Sequence, residues 1–190
     1  MARWEPNARE RLVRAAVDLF TEQGYDATTV NEIADRAGLT KTTFFRHFPD
    51  KREVLFAGQD LHARLLADAI TEAPEPATPL AAVGAALDAL AATFTEDRRA
   101  FGARLRPVIA GHSELRERAA FKRAGLAQAM ADALHGRGVP EPTASLAADL
   151  GIRAFHHAFE QWADPTCRQP LTELARHALD ELRTAAAALG

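Results

Sequence analysis

The spacing of apolar residues constrains the fold of this chain more than any other feature. Apolar residues recur every three or four positions almost throughout, and no segment shows sustained two-residue alternation rich in β-branched residues. A spacing of three or four places side chains on one face of an α-helix, whereas a strand requires a spacing of two. With 190 residues, 47% of them apolar, the chain can bury a sizeable core. The sequence therefore predicts an all-α fold of about nine helices.

Composition narrows the class of protein further. The longest apolar runs, such as Leu80 to Val83, are far too short to cross a membrane, and the first residues lack the apolar core of a signal peptide. Cys167 is the single cysteine, which leaves no internal disulfide and no thiolate-rich metal site. We therefore expect a cytoplasmic protein that needs no metal and no cofactor.

The first two helices have clear boundaries. Helix 1 is predicted over Asn7 to Gln23, and Gly24 supplies the left-handed residue that commonly ends a helix. Thr29 and Glu32 have the spacing of a capping box, in which the hydroxyl and the carboxylate each bond the other residue's backbone N–H group. Helix 2 should therefore begin there, and Gly38 should end it.

Helices 2 and 3 are predicted to form a helix-turn-helix. Only a few residues separate the end of helix 2 from helix 3, predicted over Lys41 to Phe48, so the two helices must cross steeply around a tight turn. Pro49 ends helix 3. Asp50 and Glu53 repeat the capping-box spacing, which predicts a long helix 4 running to about Ile70.

Five more helices are predicted after a proline-rich break over Glu72 to Pro79. Apolar spacing predicts helix 5 over about 80–94, helix 6 over 101–109, helix 7 over 115–134, helix 8 over 143–163 and helix 9 over 171–189. We expect Pro107 to kink helix 6. These boundaries give an N-terminal domain of residues 1–50, a connecting helix 4 at about 51–72, and a larger domain within residues 51–190.

Basic side chains are concentrated around helix 3. The chain has a net charge of −3, yet the segment from Arg36 to Arg52 has five basic residues against Asp50 alone. Threonines cluster at the N-terminal turn of helix 3, the end that enters the major groove in such motifs, and threonine offers a hydroxyl and a methyl to base edges. Phe44 and Phe48 lie one helical turn apart and should pack inward. The segment therefore has the features that a DNA-reading helix requires.

The segment TVNEIADRAGLTKTTFFRHFPDKREVLF, from Thr29 to Phe56, resembles the helix-turn-helix signature of TetR-type repressors, and helix 1 resembles theirs as well. The resemblance implies that a set of side chains faces DNA: Thr28 or Thr29, Thr40, Lys41, Thr42, Thr43, Phe45, His47 and Lys51. Base contacts are assigned to Thr42 and Thr43, and phosphate contacts to Thr29, His47 and Lys51. The family usually has tyrosine where this chain has Phe45, which cannot donate a hydrogen bond, so contact there would be apolar.

The resemblance also implies a homodimer whose interface is formed by helices 8 and 9 of each subunit. The apolar face of helix 9 fits this role, because its small residues permit close helix approach. That face consists of Leu171, Leu174, Ala175, Ala178, Leu182 and Ala185. The alternative is that the same face is buried inside the monomer. A dimer would place two recognition helices roughly 34–36 Å apart or moderately more, so the operator should be near-palindromic.

By the same resemblance, helices 4 to 7 with part of helix 8 enclose a ligand pocket. The candidate lining residues are mostly aromatic: Phe94, Phe101, Leu105, Ile109, His112, Phe121, Phe155, His156, Phe159 and Trp162. They would suit a mostly apolar ligand with one or two hydrogen bonds to His112 or His156. His156 and His157 point about 100° apart on their helix, so they cannot both bind one metal ion from there.

These observations predict a sequence-specific DNA-binding regulator, a homodimeric repressor that a small ligand releases from its operator through a change transmitted by helix 4. An enzyme is one alternative, but the sequence has no nucleophile elbow, phosphate loop or convergent acid–base set. A protein-docking module is another alternative. The retained basic residues Lys41, Arg46 and Lys51 favour DNA over a protein partner.

Overall fold

The computed structural model describes residues 7–189, and within that range it contains nine α-helices, one 3₁₀ helix and no strand. The α-helices are α1 (Ala8–Glu22), α2 (Val30–Arg36), α3 (Lys41–His47), α4 (Gln59–Thr71), α5 (Pro79–Ala91), α6 (Glu96–Gly111), α7 (Ser113–Gly136), α8 (Glu141–Trp162) and α9 (Leu171–Ala187). The 3₁₀ helix covers Glu53–Phe56. The predicted all-α class is confirmed. No helix of residues 7–189 has the length and apolarity that a membrane crossing requires.

The chain folds as two compact units, each with its own core. The smaller unit comprises the described residues up to Ala57 together with Phe101–Ala119. The larger unit comprises Gly58–Ala100 and the described residues from Ala120 onward. Helices α6 and α7 therefore contribute residues to both units. The expected division at residue 50 did not anticipate that part of these two helices packs with the N-terminal residues.

The smaller unit surrounds a core of aliphatic and aromatic side chains. Leu12, Ile33 and Phe44 come from α1, α2 and α3, and all three are fully buried. Leu115 of α7 is also fully buried in this core. Helices α2 and α3 have seven residues each, too few to be stable alone, so their stability comes from burying these side chains.

The larger unit is a bundle in which α4 packs on α5, while α5, α8 and α9 pack on one another. Alanine is frequent at the buried positions, for example Ala86 of α5, Ala148 of α8 and Ala175 of α9. Gly151 on α8 lies so close to α5 that an added Cβ atom would be 2.5 Å from Cγ1 of Val83. Small residues thus allow the helices of this unit to approach closely.

The region after α3 differs from the expected long helix 4. Asp50 does cap this turn, since its Oδ1 accepts from the backbone N–H groups of Arg52 and Glu53 at 2.8 and 3.1 Å. The Glu53 side chain, however, pairs with Arg118 instead of reaching back. A single 3₁₀ turn follows, and Gly58 at a φ of +102° interrupts the path before α4 begins. The prediction of one continuous helix was wrong because a left-handed glycine stands within it.

The apolar face of α9 is buried inside the chain, which was the alternative left open. Leu171, Leu174, Ala175 and Ala178 are each at most 5% exposed and pack with the core of the larger unit. Leu182 packs partly against that core, and Ala185 is exposed. An apolar stripe shows that a helix face is covered, but the sequence does not show what covers it. This face is therefore not available to a partner subunit.

Candidate nucleic-acid interface

The turn between α2 and α3 is held by backbone geometry and one arginine. Gly38 has a φ of +65°, and Leu39 donates its N–H group to the carbonyl of Ala34 at 2.8 Å. The Arg11 guanidinium from α1 donates to the carbonyl of Ala37 at the end of α2. A Cβ atom on Gly38 would lie 2.7 Å from that guanidinium. The turn therefore needs glycine for its left-handed backbone, and a larger residue there would also have to displace the Arg11 guanidinium.

Threonines define the exposed start of α3. The Oγ1 atom of Thr40 accepts from the backbone N–H of Thr43 at 3.2 Å and lies 3.0 Å from the Thr43 hydroxyl oxygen. Thr40 is thus the N-cap, a role that suits its residue type. Thr42 is exposed, and within residues 7–189 its hydroxyl has no recorded hydrogen-bond partner. Of the two predicted base contacts, Thr42 has the freer side chain, while Thr43 is half-buried.

Phenylalanines form the underside of α3. Phe44 and Phe48 are 0% and 2% exposed and their ring centroids are 5.6 Å apart, so the expectation that both pack inward is confirmed. Phe45 is 48% exposed and meets Phe44 edge-on at 5.5 Å. These packed rings fix the orientation of α3 and leave Phe45 on the surface, where it can make only apolar contact.

Lys51 binds the loop that precedes α2. Its ammonium donates to the carbonyl oxygens of Tyr25 at 2.8 Å and Thr28 at 3.0 Å, and it lies 4.2 Å from the Tyr25 ring centroid. An ammonium has three donors, so one remains for a phosphate. Lys51 therefore has a structural role that the sequence pattern did not reveal.

Only one of the two adjacent threonines is exposed. Thr28 is 1% exposed, and its hydroxyl donates to the Gly24 carbonyl at 2.8 Å. Its burial removes Thr28 from the surface that could meet DNA. Thr29 is exposed and forms the predicted capping box: its N–H donates to Glu32 at 2.7 Å, and the Glu32 N–H donates to its hydroxyl at 3.2 Å. The capping-box prediction is confirmed. The Thr29 hydroxyl also donates to Glu32 at 2.8 Å, so a phosphate would have to replace that bond.

Ion pairs reduce the positive charge that the sequence count gave to this region. Arg36 pairs with Glu22 at 2.8 Å, and Arg52 pairs with Asp50 at 2.7 Å. Lys41 and Arg46 are exposed, and neither has a carboxylate partner among residues 7–189. The positive field at the surface of α3 thus comes mainly from these two side chains.

His47 is half-buried at the end of α3. Burial lowers its pKa, and the nearby charges of Arg46 and Arg9 lower it further. Its Nε2 atom is buried without a hydrogen-bond partner among the described residues, and the Arg9 guanidinium lies 5.4 Å from the neighbouring Phe48 ring centroid. The lowered pKa reduces the positive charge that His47 can offer a phosphate, and Arg9 adds a cation that the predicted site did not include.

Polar contacts bind the α6–α7 segment within the smaller unit. Arg104 pairs with Asp18 of α1 at 2.7 Å. The ring of Tyr25 stacks against His112 with centroids 5.0 Å apart. Burial and a hydrogen bond to Glu114 raise the pKa of Tyr25. Together with the Arg118–Glu53 pair, these contacts make the segment a structural part of this unit.

The candidate ligand-lining residues are distributed over the two units. Phe101, Leu105 and Ile109 pack against the core of the smaller unit, which also contains His112. Phe121 belongs to the larger unit but is 66% exposed. The predicted set as a whole is therefore not gathered within either unit. Phe155, His156 and Phe159 remain together on α8, where His156 Nε2 accepts a hydrogen bond from the Arg123 guanidinium at 3.1 Å.

An aromatic cluster does form in the larger unit, around Phe94. Its ring centroid lies 5.5–6.0 Å from those of His62, Phe155, Phe159 and Trp162. His62 had no place in the predicted set, because nothing in its local sequence distinguishes it from a surface histidine. Burial lowers the pKa of His62, and the Arg98 charge lowers it further.

Comparisons with known proteins agree with this architecture. Residues 12–57 match the family described as bacterial regulatory proteins, tetR family. Over 82 residues the chain is 37% identical to the HTH-type transcriptional regulator TcmR of Streptomyces glaucescens, which covers 43% of this chain and 36% of that protein. Over 65 residues it is 37% identical to the HTH-type transcriptional activator FasR of Mycolicibacterium smegmatis, covering 34% and 30%. The chain thus spans about a third of the length of these curated relatives.

A solved structure extends the likeness along the chain. The crystal structure of Thermus thermophilus FadR, a TetR family transcriptional repressor in complex with lauroyl-CoA, has a TM-score of 0.58 to this fold. The two sequences are 25% identical over 92% of each chain. The helix-turn-helix and the all-helical architecture are those of a class of DNA-binding regulators. Within that class, this chain is similar to the TetR family over residues 12–57.

Proposed function

We propose that this protein is a DNA-binding transcriptional regulator, a homodimeric repressor that a small, mostly apolar ligand releases from a near-palindromic operator. The observation that carries the proposal is the surface of α3. Exposed Thr42 lies there with the unneutralised cations Lys41 and Arg46, above the buried rings of Phe44 and Phe48. A recognition helix needs this combination of short polar side chains, phosphate-binding cations and an apolar base. Such a protein would act in the cytoplasm on chromosomal DNA and would catalyse no reaction.

The dimer is proposed through α8 and α9, using surfaces other than the buried face of α9. Leu146 on α8 is 58% exposed and Leu189, just beyond α9, is 89% exposed. The support for a subunit contact there is the exposure of these two leucines, one on α8 and one just beyond α9. Two-fold symmetry would then repeat α3 and require two similar half-sites in the operator.

The proposal that a ligand releases the protein from DNA is supported by lauroyl-CoA, the ligand named for the Thermus FadR structure. Release requires that the ligand bind better to a conformation that binds DNA poorly. Candidate routes for the change are α6 and α7, which have residues in both units, and α4, which begins at their boundary. Because FasR is named an activator, repression itself must be tested with a reporter gene placed behind the operator.

The first experiment is selection of bound sequences from a random DNA pool, at a stated salt concentration, with purified protein. We expect recovery of a near-palindrome. Affinity for it should fall in Thr42→Ala and Thr43→Ala by about fivefold to a hundredfold, because a lost base contact costs roughly 1–3 kcal/mol. Random DNA should lose little affinity.

Thr71→Ala is the matched control. Thr71 is also exposed on a helix, and its hydroxyl donates to the Ala67 carbonyl within α4. This variant should retain wild-type affinity. If the sequences recovered from the pool share no motif, the proposal of sequence-specific binding is wrong. If the variants lose affinity for operator and random DNA equally, Thr42 and Thr43 do not recognise bases.

A further inference from the structure

A cavity of about 380 Å³ lies within the larger unit, between the ends of four helices. It is bordered by residues at the end of α5, the start of α6, the end of α8 and the start of α9. Its volume lies near the lower end of the range for small-molecule sites, roughly 300–1,000 Å³. The space therefore suits a compact ligand much smaller than an acyl-CoA.

Two aromatic rings form the apolar wall of this cavity. Phe94 and Trp162 both line it, and their rings meet edge-on with centroids 6.0 Å apart. The remaining rings of the aromatic cluster hold Phe94 in place, since His62 and Phe159 both stack against it. Phe94 is the more accessible of the two rings, because Trp162 is only 4% exposed, so a flat apolar body would pack mainly against Phe94.

The rim of the cavity is held by Arg99. Its guanidinium donates to the carbonyls of Asp164 at 2.8 Å and Cys167 at 2.5 Å, and lies 5.7 Å from the Trp162 ring centroid. Its charge is balanced by Glu96 at 3.5 Å. Arg99 therefore positions the loop after α8 and contributes little net charge to a ligand.

Arg168 supplies the unbalanced charge. It lines the cavity, and its Nη1 atom donates to the Pro165 carbonyl at 2.8 Å. The Nε and Nη2 donors of Arg168 are left for a ligand. Within residues 7–189, no carboxylate pairs with Arg168. With Glu96 and Arg99 offsetting each other, the lining has a net charge of +1. The first turn of α9, whose N-cap Pro170 gives no side-chain bond, adds a field that favours an anion.

We propose that this cavity binds a small monocarboxylate with a flat apolar body, which packs against Phe94 beside the edge of Trp162 and accepts hydrogen bonds from Arg168. The proposal deepens the ligand-controlled repression proposed above and rests on it for its biological role. The binding event itself does not depend on DNA, so the two can be tested separately.

The test is isothermal titration calorimetry of the full chain with three naphthalene probes of the same shape and different charge. They are 2-naphthamide, 2-naphthoate and 2,6-naphthalenedicarboxylate, with charges of 0, −1 and −2 at neutral pH. We expect saturable binding of 2-naphthoate to one site per chain. The amide should bind at least about tenfold more weakly, because it lacks the charge-assisted bond. The dicarboxylate should also bind more weakly, because its second charge would face the apolar wall.

Arg168→Gln and Arg153→Gln form the matched pair of variants. Both arginines are exposed in the larger unit, but only Arg168 lines the cavity. Arg168→Gln should weaken 2-naphthoate about tenfold and leave the amide unchanged, while Arg153→Gln should change neither. Equal effects of the two variants, equal affinities for the amide and 2-naphthoate, or no saturable binding of 2-naphthoate would overturn the proposal.

A Trp4→Phe variant locates the probe, because Trp162 is then the single tryptophan. The indole N–H resonance of Trp162 should shift on titration with 2-naphthoate, and an unmoved resonance would also overturn the proposal. Operator affinity is measured in parallel. Binding of 2-naphthoate at Trp162 with unchanged operator affinity would support this site and remove ligand-controlled release from the proposed function.

Discussion

In the smaller unit, polar side chains fix the ends of the seven-residue helices α2 and α3, whereas the helices of the larger unit meet through small residues. In the smaller unit, Lys51 and Arg11 each bind backbone carbonyls at the ends of turns. In the larger unit, Arg137 makes similar bonds to Thr71 and Ala73, but half of the buried core residues there are alanines. The structure of the smaller unit thus depends on particular residue types, whereas the packing of the larger unit depends on the size of its residues.

This difference agrees with where the chain resembles other proteins. The family match covers residues 12–57, which lie within the smaller unit. A turn that needs one glycine, one cap and one lysine tolerates few substitutions, while a helix face built from small residues can be made by many sequences. We therefore expect the smaller unit to be shared among relatives and the larger unit to carry what is particular to each.

Leu115→Ala and Leu134→Ala test whether the two units are separate cooperative structures. Both leucines are fully buried on α7, one in the core of each unit. Each loss should cost about 2–5 kcal/mol. Hydrogen exchange followed by mass spectrometry should show faster exchange in residues 8–56 for Leu115→Ala, and in α5 and α8 for Leu134→Ala. If either variant accelerates exchange equally in both units, the two units unfold together and are not separate cooperative structures.

Gly151→Ala tests the close packing of the larger unit. The new Cβ would lie 2.5 Å from Val83 Cγ1 and 3.0 Å from Met130 Cε, and such overpacking typically costs about 1–3 kcal/mol. Gly125→Ala, with nothing within 4 Å of its added Cβ, should instead stabilise α7 by roughly 0.5–1 kcal/mol. Urea denaturation measures both. Adding Val83→Ala to Gly151→Ala should recover part of the loss, and strictly additive losses would show that the two residues do not touch.

The sequence predicted the smaller unit well wherever one residue type determines a local conformation. The Thr29–Glu32 capping box, the left-handed Gly24 and Gly38, and the inward Phe44 were all anticipated. Each is a local feature, set by residues within one turn of the helix or loop they control. The predicted DNA contacts came from the resemblance and stay a prediction, to which the structure adds the burial of Thr28, which a local pattern cannot show.

Sequence reasoning was weaker where partners are distant in the chain. Glu53 was expected to cap a long helix but pairs with Arg118, 65 positions away. The apolar face of α9 was expected to meet a second subunit, and α5 and α8 cover it instead. A helical pattern shows which face of a helix is buried but not which element covers it. For the same reason, the predicted ligand-lining set combined residues that lie in different units.

Lys51→Met and Lys41→Met separate folding from DNA binding in the smaller unit. Lys51 bonds two carbonyls and a ring, so its loss should lower stability by about 1–3 kcal/mol. Lys41 is exposed at the start of α3, and its loss should change stability by less than about 0.5 kcal/mol. Each variant should reduce the slope of the logarithm of DNA affinity against the logarithm of salt concentration by about one unit. A Lys51→Met protein as stable as the wild type would show that the loop before α2 does not need this lysine.

The smallest effect we expect concerns two histidines, His62 of the larger unit and His47 of the smaller one. Burial lowers the pKa of each histidine below its ordinary value of about 6.5. As the pH falls past that value, the unfolded chain therefore binds protons on these histidines before the folded protein does. Stability should therefore fall as pH decreases from about 7.5 to about 5.5. His62→Gln should remove more of this loss than His47→Gln, because His62 is packed against Phe94, while solvent screens the more exposed surface around His47. Urea midpoints at the two pH values measure this loss of stability. A larger change in His47→Gln would show that burial of the histidine in the smaller unit costs more.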